Sequence, residues 1–163
     1  MPDNRSHVRK QLETLHARLA PQVRGAVYRD VHYIARRLRP ADELDLEGAS
    51  PRDALLAGFS QSVRPLTVID AGRPIAMFGV VPWGDESGVG SVWLLGTPQV
   101  ERIKVPFLRQ SHQWLEHISE GFAGLRNKVH QDNELHVRWL RWLGFVFIRQ
   151  HNQFLEFAKC VTP

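Results

Sequence analysis

The feature that most constrains this chain is a change of apolar period near residue 65. Before it, apolar residues recur at steps of three and four, the spacing of one helical face. After it they gather in short runs separated by turn residues. Leu66, Val68 and Ile69 precede Asp70, Ala71, Gly72 and Arg73, a hairpin-type turn, and the β-rich run Pro74 to Val81 follows. Two neighbouring strands are expected there. A chain that starts helical, turns to strands and then alternates the two must lay helices on a sheet.

The flanking segments extend this pattern. Ser6 is an expected N-cap for a helix in which Val8, Leu12, Leu15 and Leu19 form one stripe up to Pro21. Val23, Ala26 and Val27 suit a short strand, and Asp30 is expected to cap a second helix through Ile34 and Leu38, closed by Pro40. The run ADELDLEGASPRDALLAGF reads as two brief helices divided at Gly48. Ser91 to Leu95 form a third strand with Gly96 at its end, after the polar connection PWGDESGVG. Leu108, Ser111, Leu115, Ile118 and Phe122 mark a long helix, Leu125 to His130 a strand, and Asn133 to Leu143 a helix. Phe145 to Arg149 and Phe154 to Ala158 close the chain as a strand pair. The expected fold class is α/β (α+β), a mixed sheet covered by helices, in one domain of 163 residues.

Composition removes several classes. With 43% apolar and 23% charged residues the chain has the make-up of a folded domain, not a disordered one. A single cysteine, Cys160, can form neither an internal disulfide nor a cysteine-based zinc site. Asp3, Arg5 and Arg9 interrupt the opening where a signal peptide needs an apolar stretch, so neither export nor a membrane span is expected. Residues 1 to 40 hold nine Lys or Arg against three acids, so the net charge of +4 arises in the first quarter. A solvated helix face explains that excess, and an acidic or nucleic-acid partner is the alternative.

Catalytic signatures are sparse. Eight histidines include no HExxH pair, and His112 and His117 stand about 140° apart around a helix. Surface or capping histidines are expected, with no metal site. No phosphate-loop lysine motif and no GxSxG elbow occurs. Trp139 and Trp142 flank Arg141, but one helical turn apart they suit packing against a sheet.

The segment NELHVRWLRWLGF, Asn133 to Phe145, resembles the last helix and following strand of the GNAT N-acetyltransferase fold, whose pattern is N-x-x-A-x-x-L-Y-x-x-x-G-F. Asn133, Gly144 and Phe145 match, and Gly144 also suits a helix C-cap. Together with YIARRLRPADELDLEG, RPIAMFGVVP and VWLLGTPQVERIKVPFLRQSHQWLE, it resembles the internal virion protein A family of short-tailed phages, a divergent GNAT-like group. The resemblance spans about residues 23 to 158. Residues 1–20, read from their apolar stripe as a basic amphipathic helix, lie outside it, and 21–163 are expected to form a single GNAT-like domain.

Two departures from the GNAT pattern shape the functional expectation. The stretch Gly96, Thr97, Pro98, Gln99, Val100, Glu101, Arg102 stands where a glycine-rich loop would offer amides to a pyrophosphate, but Pro98 lacks a donor and Glu101 adds a like charge. Leu140 stands where the family's tyrosine would protonate a thiolate. The resemblance therefore implies a phage-encoded virion, assembly or ejection component that works by binding, without a cofactor. Arg5, Arg9, Lys10 and Arg18 would meet other virion proteins or DNA, first in the host cytoplasm and then in the particle. The alternative is an acetyl-coenzyme A dependent N-acetyltransferase on an unidentified amine. Gly96, Thr97, Gln99 and Arg102 would then lie near the cofactor, Asn133 would orient its pantetheine arm, and Glu43, Asp85 or Glu86 would be candidate bases.

Overall fold

A computed structural model describes residues 4–19, 21–84 and 88–162. Its elements follow the expected order, namely α1 (Asn4–Leu19), β1 (Gln22–Gly25), α2 (Tyr28–Ala35), α3 (Pro40–Leu44), α4 (Pro51–Gln61), β2 (Leu66–Asp70), β3 (Arg73–Pro82) and β4 (Val89–Gly96). A short 3-10 turn, Pro98–Arg102, leads to α5 (Lys104–Ser119), β5 (Gly124–His130), α6 (Glu134–Trp142), β6 (Val146–His151) and β7 (Phe154–Cys160). The seven strands form one mixed sheet in the order β1-β2-β3-β4-β5-β7-β6. All neighbours are antiparallel except β4 and β5.

Local chemistry explains the turns. Ala71 and Gly72 both have positive φ, at 49° and 74°, the geometry that matches a two-residue hairpin loop to strand twist. Ser50 caps α4 by accepting from the Asp53 amide at 3.1 Å. Asp30 is not the cap that the sequence suggested. It lies inside the first turn of α2, and its buried carboxylate takes hydrogen bonds from the Val27 amide, Thr67 Oγ1 and Arg24. The helix ends at Ala35, short of Leu38.

Two apolar cores lie on opposite faces of the sheet. Val31, Ile34, Leu38, Leu55, Met77 and Leu95 pack beneath α2 and α4. The larger core joins Val68, Ile75, Phe78, Val80, Leu115, Ile118, Leu125, Val129, Val137, Trp139, Phe145 and Phe157 beneath α5 and α6. Trp139 is buried as expected, but Trp142 is 57% exposed, because it lies on the outer side of α6 beside His112. Val8 and Leu12 of α1 are about half exposed.

Candidate active site

The only parallel pair in the sheet is also the shortest ladder. β4 and β5 pair at Val89 with Gly124, Gly90 with Leu125 and Ser91 with Arg126, and then part. The Asn127 side chain donates to the Val92 carbonyl at 2.8 Å, filling the first rung beyond the ladder. Strand alternation turns the N–H and C=O of Leu94, two residues further, toward the same gap.

A small helix holds the gap open. Asp42 on α3 accepts the Gly96 amide of β4 at 2.8 Å, and the Arg39 amide donates to the Gly96 carbonyl at 2.8 Å. Asp45, one residue past α3, accepts the His130 amide at the end of β5, also at 2.8 Å. The two carboxylates thus grip the two diverging strand ends. They also share Asn133, whose Nδ2 donates to Asp42 Oδ1 at 3.0 Å and Asp45 Oδ2 at 2.8 Å. Arg39 completes the cluster, with Nη2 at 2.6 Å from Asp42 Oδ1 and 2.8 Å from Asn133 Oδ1. Its other nitrogen, Nη1, reaches Glu101 at 3.3 Å. Arg39, Asp42 and Asn133 are all buried, so pairing offsets a desolvation cost that none of them could bear alone.

Where the strands part, one cavity of about 460 Å³ opens. Its lining joins both faces of the sheet. Ala54, Ala57 and Gly58 of α4 lie on one side, and Leu115 of α5 with His136 and Leu140 of α6 and its C-cap Leu143 on the other. The α6 residues recur at steps of four and three, one face of that helix. The cavity therefore passes through the sheet at the β4–β5 gap. Most of its wall is apolar, and its ionisable members are Asp45, Glu47, Lys128 and His136. Lys128 Nζ and Glu47 Oε2 pair at 2.7 Å, both side chains about half exposed.

His136 overturns the expectation of surface or capping histidines, and so does His130, for both are buried. His136 Nδ1 stands 3.1 Å from Asn133 Nδ2, while its Nε2 has no hydrogen-bond partner and lies 3.4 Å from Asp42 Oδ1. Asp42, Asp45 and His136 are a metal-binding type of trio. Their convergence point is Asn133 Nδ2, within about 3 Å of all three, so an amide already fills the place an ion would take. Only the D-x-x-D spacing and a histidine three residues after an asparagine hint at this cluster in the sequence, because its members are about 90 residues apart.

The other residues singled out from the sequence divide into groups. The Gly96 amide and carbonyl are spent on α3 and Arg39, and the Thr97 amide bonds the Ile75 carbonyl at 2.7 Å. Gln99 donates to Asp70 at 2.7 Å, and Arg102 is exposed at the end of the 3-10 turn. The loop is thus wound on itself instead of cupping outward. Asn133 sits at the N-cap position of α6 but makes no capping bond, since its amide is committed to Asp42, Asp45 and Arg39. Leu140 lines the cavity, so no hydroxyl is offered at that position. Glu43 is exposed on α3, whereas Asp85 and Glu86 fall outside the described residues. Arg5, Arg9 and Lys10 are exposed along α1, and Arg18 lies outside the residues whose side chains are described.

No family model and no curated protein matches the chain. Solved structures do. The GNAT domain of S. lividans PAT covers 86% of this chain and 90% of its own at 11% identity, with a TM-score of 0.68. Aminoglycoside 6'-acetyltransferase type Ii covers 87% and 98% at 14% identity and a TM-score of 0.67. Spermidine N-acetyltransferase from Vibrio cholerae, in complex with CoA and spermine, covers 86% and 95% at 15% identity and a TM-score of 0.61.

The fold is the GNAT acetyltransferase fold. The finer resemblance, to internal virion protein A of short-tailed phages, finds no support in these matches. The expectation of a virion component that works by binding alone is overturned, because solved structures of this architecture include acetyltransferases, one of them in complex with CoA. The physical reason the sequence misled is that a degenerate loop and a missing tyrosine were weighed without sight of the cavity behind them. No helix among the described residues is long and apolar enough to cross a membrane.

Proposed function

We propose that the chain transfers an acyl group from a coenzyme A thioester to an amine, as an N-acetyltransferase does. The observation that carries this reading is the apolar cavity running through the sheet where β4 and β5 part. An extended arm containing amides can add to the free β4 edge at Leu94 as a strand would, while its thioester lies in the gap and an amine approaches from the opposite face. The acetyltransferases of the same fold, one of them holding CoA and spermine, support it.

The chain's own residues fit the arm better than the pyrophosphate. The amides of Gly96 and Thr97 are already bonded and Pro98 has none. Arg102 and Arg109 remain exposed near the start of α5, whose N-terminus has no side-chain cap, and these are the groups we assign to the phosphates. On the acceptor side, Asp45 and Glu47 favour a cationic amine. His136 is the group we assign to proton transfer. It is the one imidazole among the described residues of the cavity wall, with its Nε2 3.4 Å from the Asp42 carboxylate.

In the reaction the amine nitrogen bonds to the thioester carbonyl carbon, the carbon–sulfur bond breaks, the amine loses a proton and the thiolate gains one. The test is a thermal-shift titration with acetyl-coenzyme A, with adenosine diphosphate as control, followed by thiol-release assays over primary amines. A ligand at a hundred times its dissociation constant adds about 2.7 kcal/mol. That corresponds to roughly 5 to 10 °C for a chain of this size. A saturable rise specific to the thioester supports the reading, and no rise at millimolar concentration defeats it.

A further inference from the structure

We infer that the acyl group this site is built for is longer than acetyl, an aliphatic chain of about four to six carbons. The inference rests on the acyl-transfer reading above and concerns the α4 side of the same cavity. There the wall includes Leu46, Ala54, Ala57, Gly58 and Trp93, with Gln61 as the polar member from α4. Gly58 has no side chain because the Trp93 ring already occupies its space, as a Cβ there would stand 2.5 Å from the indole. The indole is held in place by its Nε1, which donates to Ser62 Oγ at 2.8 Å. The polar atom of Trp93 is thereby satisfied away from the cavity, and the ring shows the cavity its apolar surface.

The charged members of the lining do not serve this wall. Lys128 and Glu47 pair with each other, and Asp45 accepts from the His130 amide and Asn133. Apart from Gln61, the α4 side of the wall offers water few partners. A two-carbon acyl group leaves apolar surface of that wall facing poorly bonded water. Replacing such water with methylenes is favourable, and each buried methylene tightens binding about fourfold.

The experiment is calorimetry on the full chain with coenzyme A, acetyl-, butyryl- and hexanoyl-coenzyme A. Butyryl-coenzyme A is expected to bind about fifteenfold tighter than acetyl-coenzyme A, from two methylenes at that rate. Hexanoyl-coenzyme A is expected to be tighter again. Equal affinities across the series, with coenzyme A itself bound, overturn this inference and leave the acyl-transfer reading standing. Failure of coenzyme A and all its thioesters to bind defeats that reading and the inference with it. Ala57→Phe narrows the lobe from an α4 position that faces both cavity and solvent. It is expected to lose the gain in affinity from acetyl- to hexanoyl-coenzyme A. A variant that keeps the gain overturns the placement of the chain against α4. Should Ala57→Phe not fold, the parent's series alone decides.

Discussion

Asn133 and Asp42 are 91 residues apart in the chain and 3.0 Å apart in the fold, joined by an Nδ2 to Oδ1 hydrogen bond that ties the start of α6 to α3. Through Asp42 this bond reaches the Gly96 amide, and through Asp45 the His130 amide, so one asparagine side chain sets the spacing of the two strands that frame the cavity.

Removing either member is expected to be costly. Asp42→Ala leaves Arg39 buried without its nearest carboxylate, and breaking a buried pair in this way costs about 3 to 5 kcal/mol. At roughly 2 to 4 °C per kcal/mol the melting temperature falls by about 10 °C. Asn133→Ala and the double variant complete a cycle, and chemical denaturation is expected to show a coupling of about 0.5 to 3 kcal/mol. Strict additivity would mean that the two side chains act separately.

Acid is expected to unfold the protein partly through Asp30. Burial pushes its carboxyl up, but the hydrogen bonds from Arg24, the Val27 amide and Thr67 outweigh that and hold it below the ordinary aspartate range. A depressed folded value means that the stabilisation is complete above the unfolded pKa of about 3.9 and is lost as pH falls through the folded value. Urea unfolding of Asp30→Asn between pH 7 and 2 should start less stable than the parent and lose less as the pH drops. Parallel curves would exclude Asp30 as a source of the acid sensitivity.

For His136 the expected effect is on chemistry more than on binding. His136→Gln keeps a polar side chain beside Asn133 but cannot shuttle a proton, so transfer is expected to slow about a hundredfold or more. Acetyl-coenzyme A should stabilise parent and variant alike. A variant with the parent's rate would remove His136 from proton transfer.

Gly58 offers a prediction with an unusual sign. Glycine to alanine inside a helix ordinarily stabilises by about 0.5 to 1 kcal/mol. Here the added Cβ would meet the Trp93 ring at 2.5 Å, and overpacking of this kind costs about 1 to 3 kcal/mol. Gly58→Ala is therefore expected to lower the melting temperature, and Trp93→Leu in the same background to recover part of the loss. A simple gain from Gly58→Ala would show that the indole yields freely.

Much of the architecture was legible because it rests on local chemistry. The period of the apolar residues located β2 to β7 and α4 to α6 within a few residues, since side-chain alternation along a strand or helix is written directly in the sequence. The hairpin at Ala71 and Gly72 was equally readable. Asp30 was not, because a carboxylate near a helix start satisfies the pattern of a cap whether it stands at the N-cap or three residues inside.

The candidate site belonged almost wholly to the second class. The motif around Asn133 pointed to the right helix, yet the partners that commit its amide lie on α3, at Asp42 and Asp45, and on Arg39. The sequence by itself determined the order of elements, the GNAT-like layering and the loss of the loop glycines and the tyrosine at Leu140. Only the tertiary structure decided that β4 and β5 part after three rungs, that a buried ion cluster holds them open and that His136 faces the resulting cavity. Periodicity is a property of neighbours along the chain, whereas a cavity is the space left between segments brought together from far apart, and no single segment carries its dimensions.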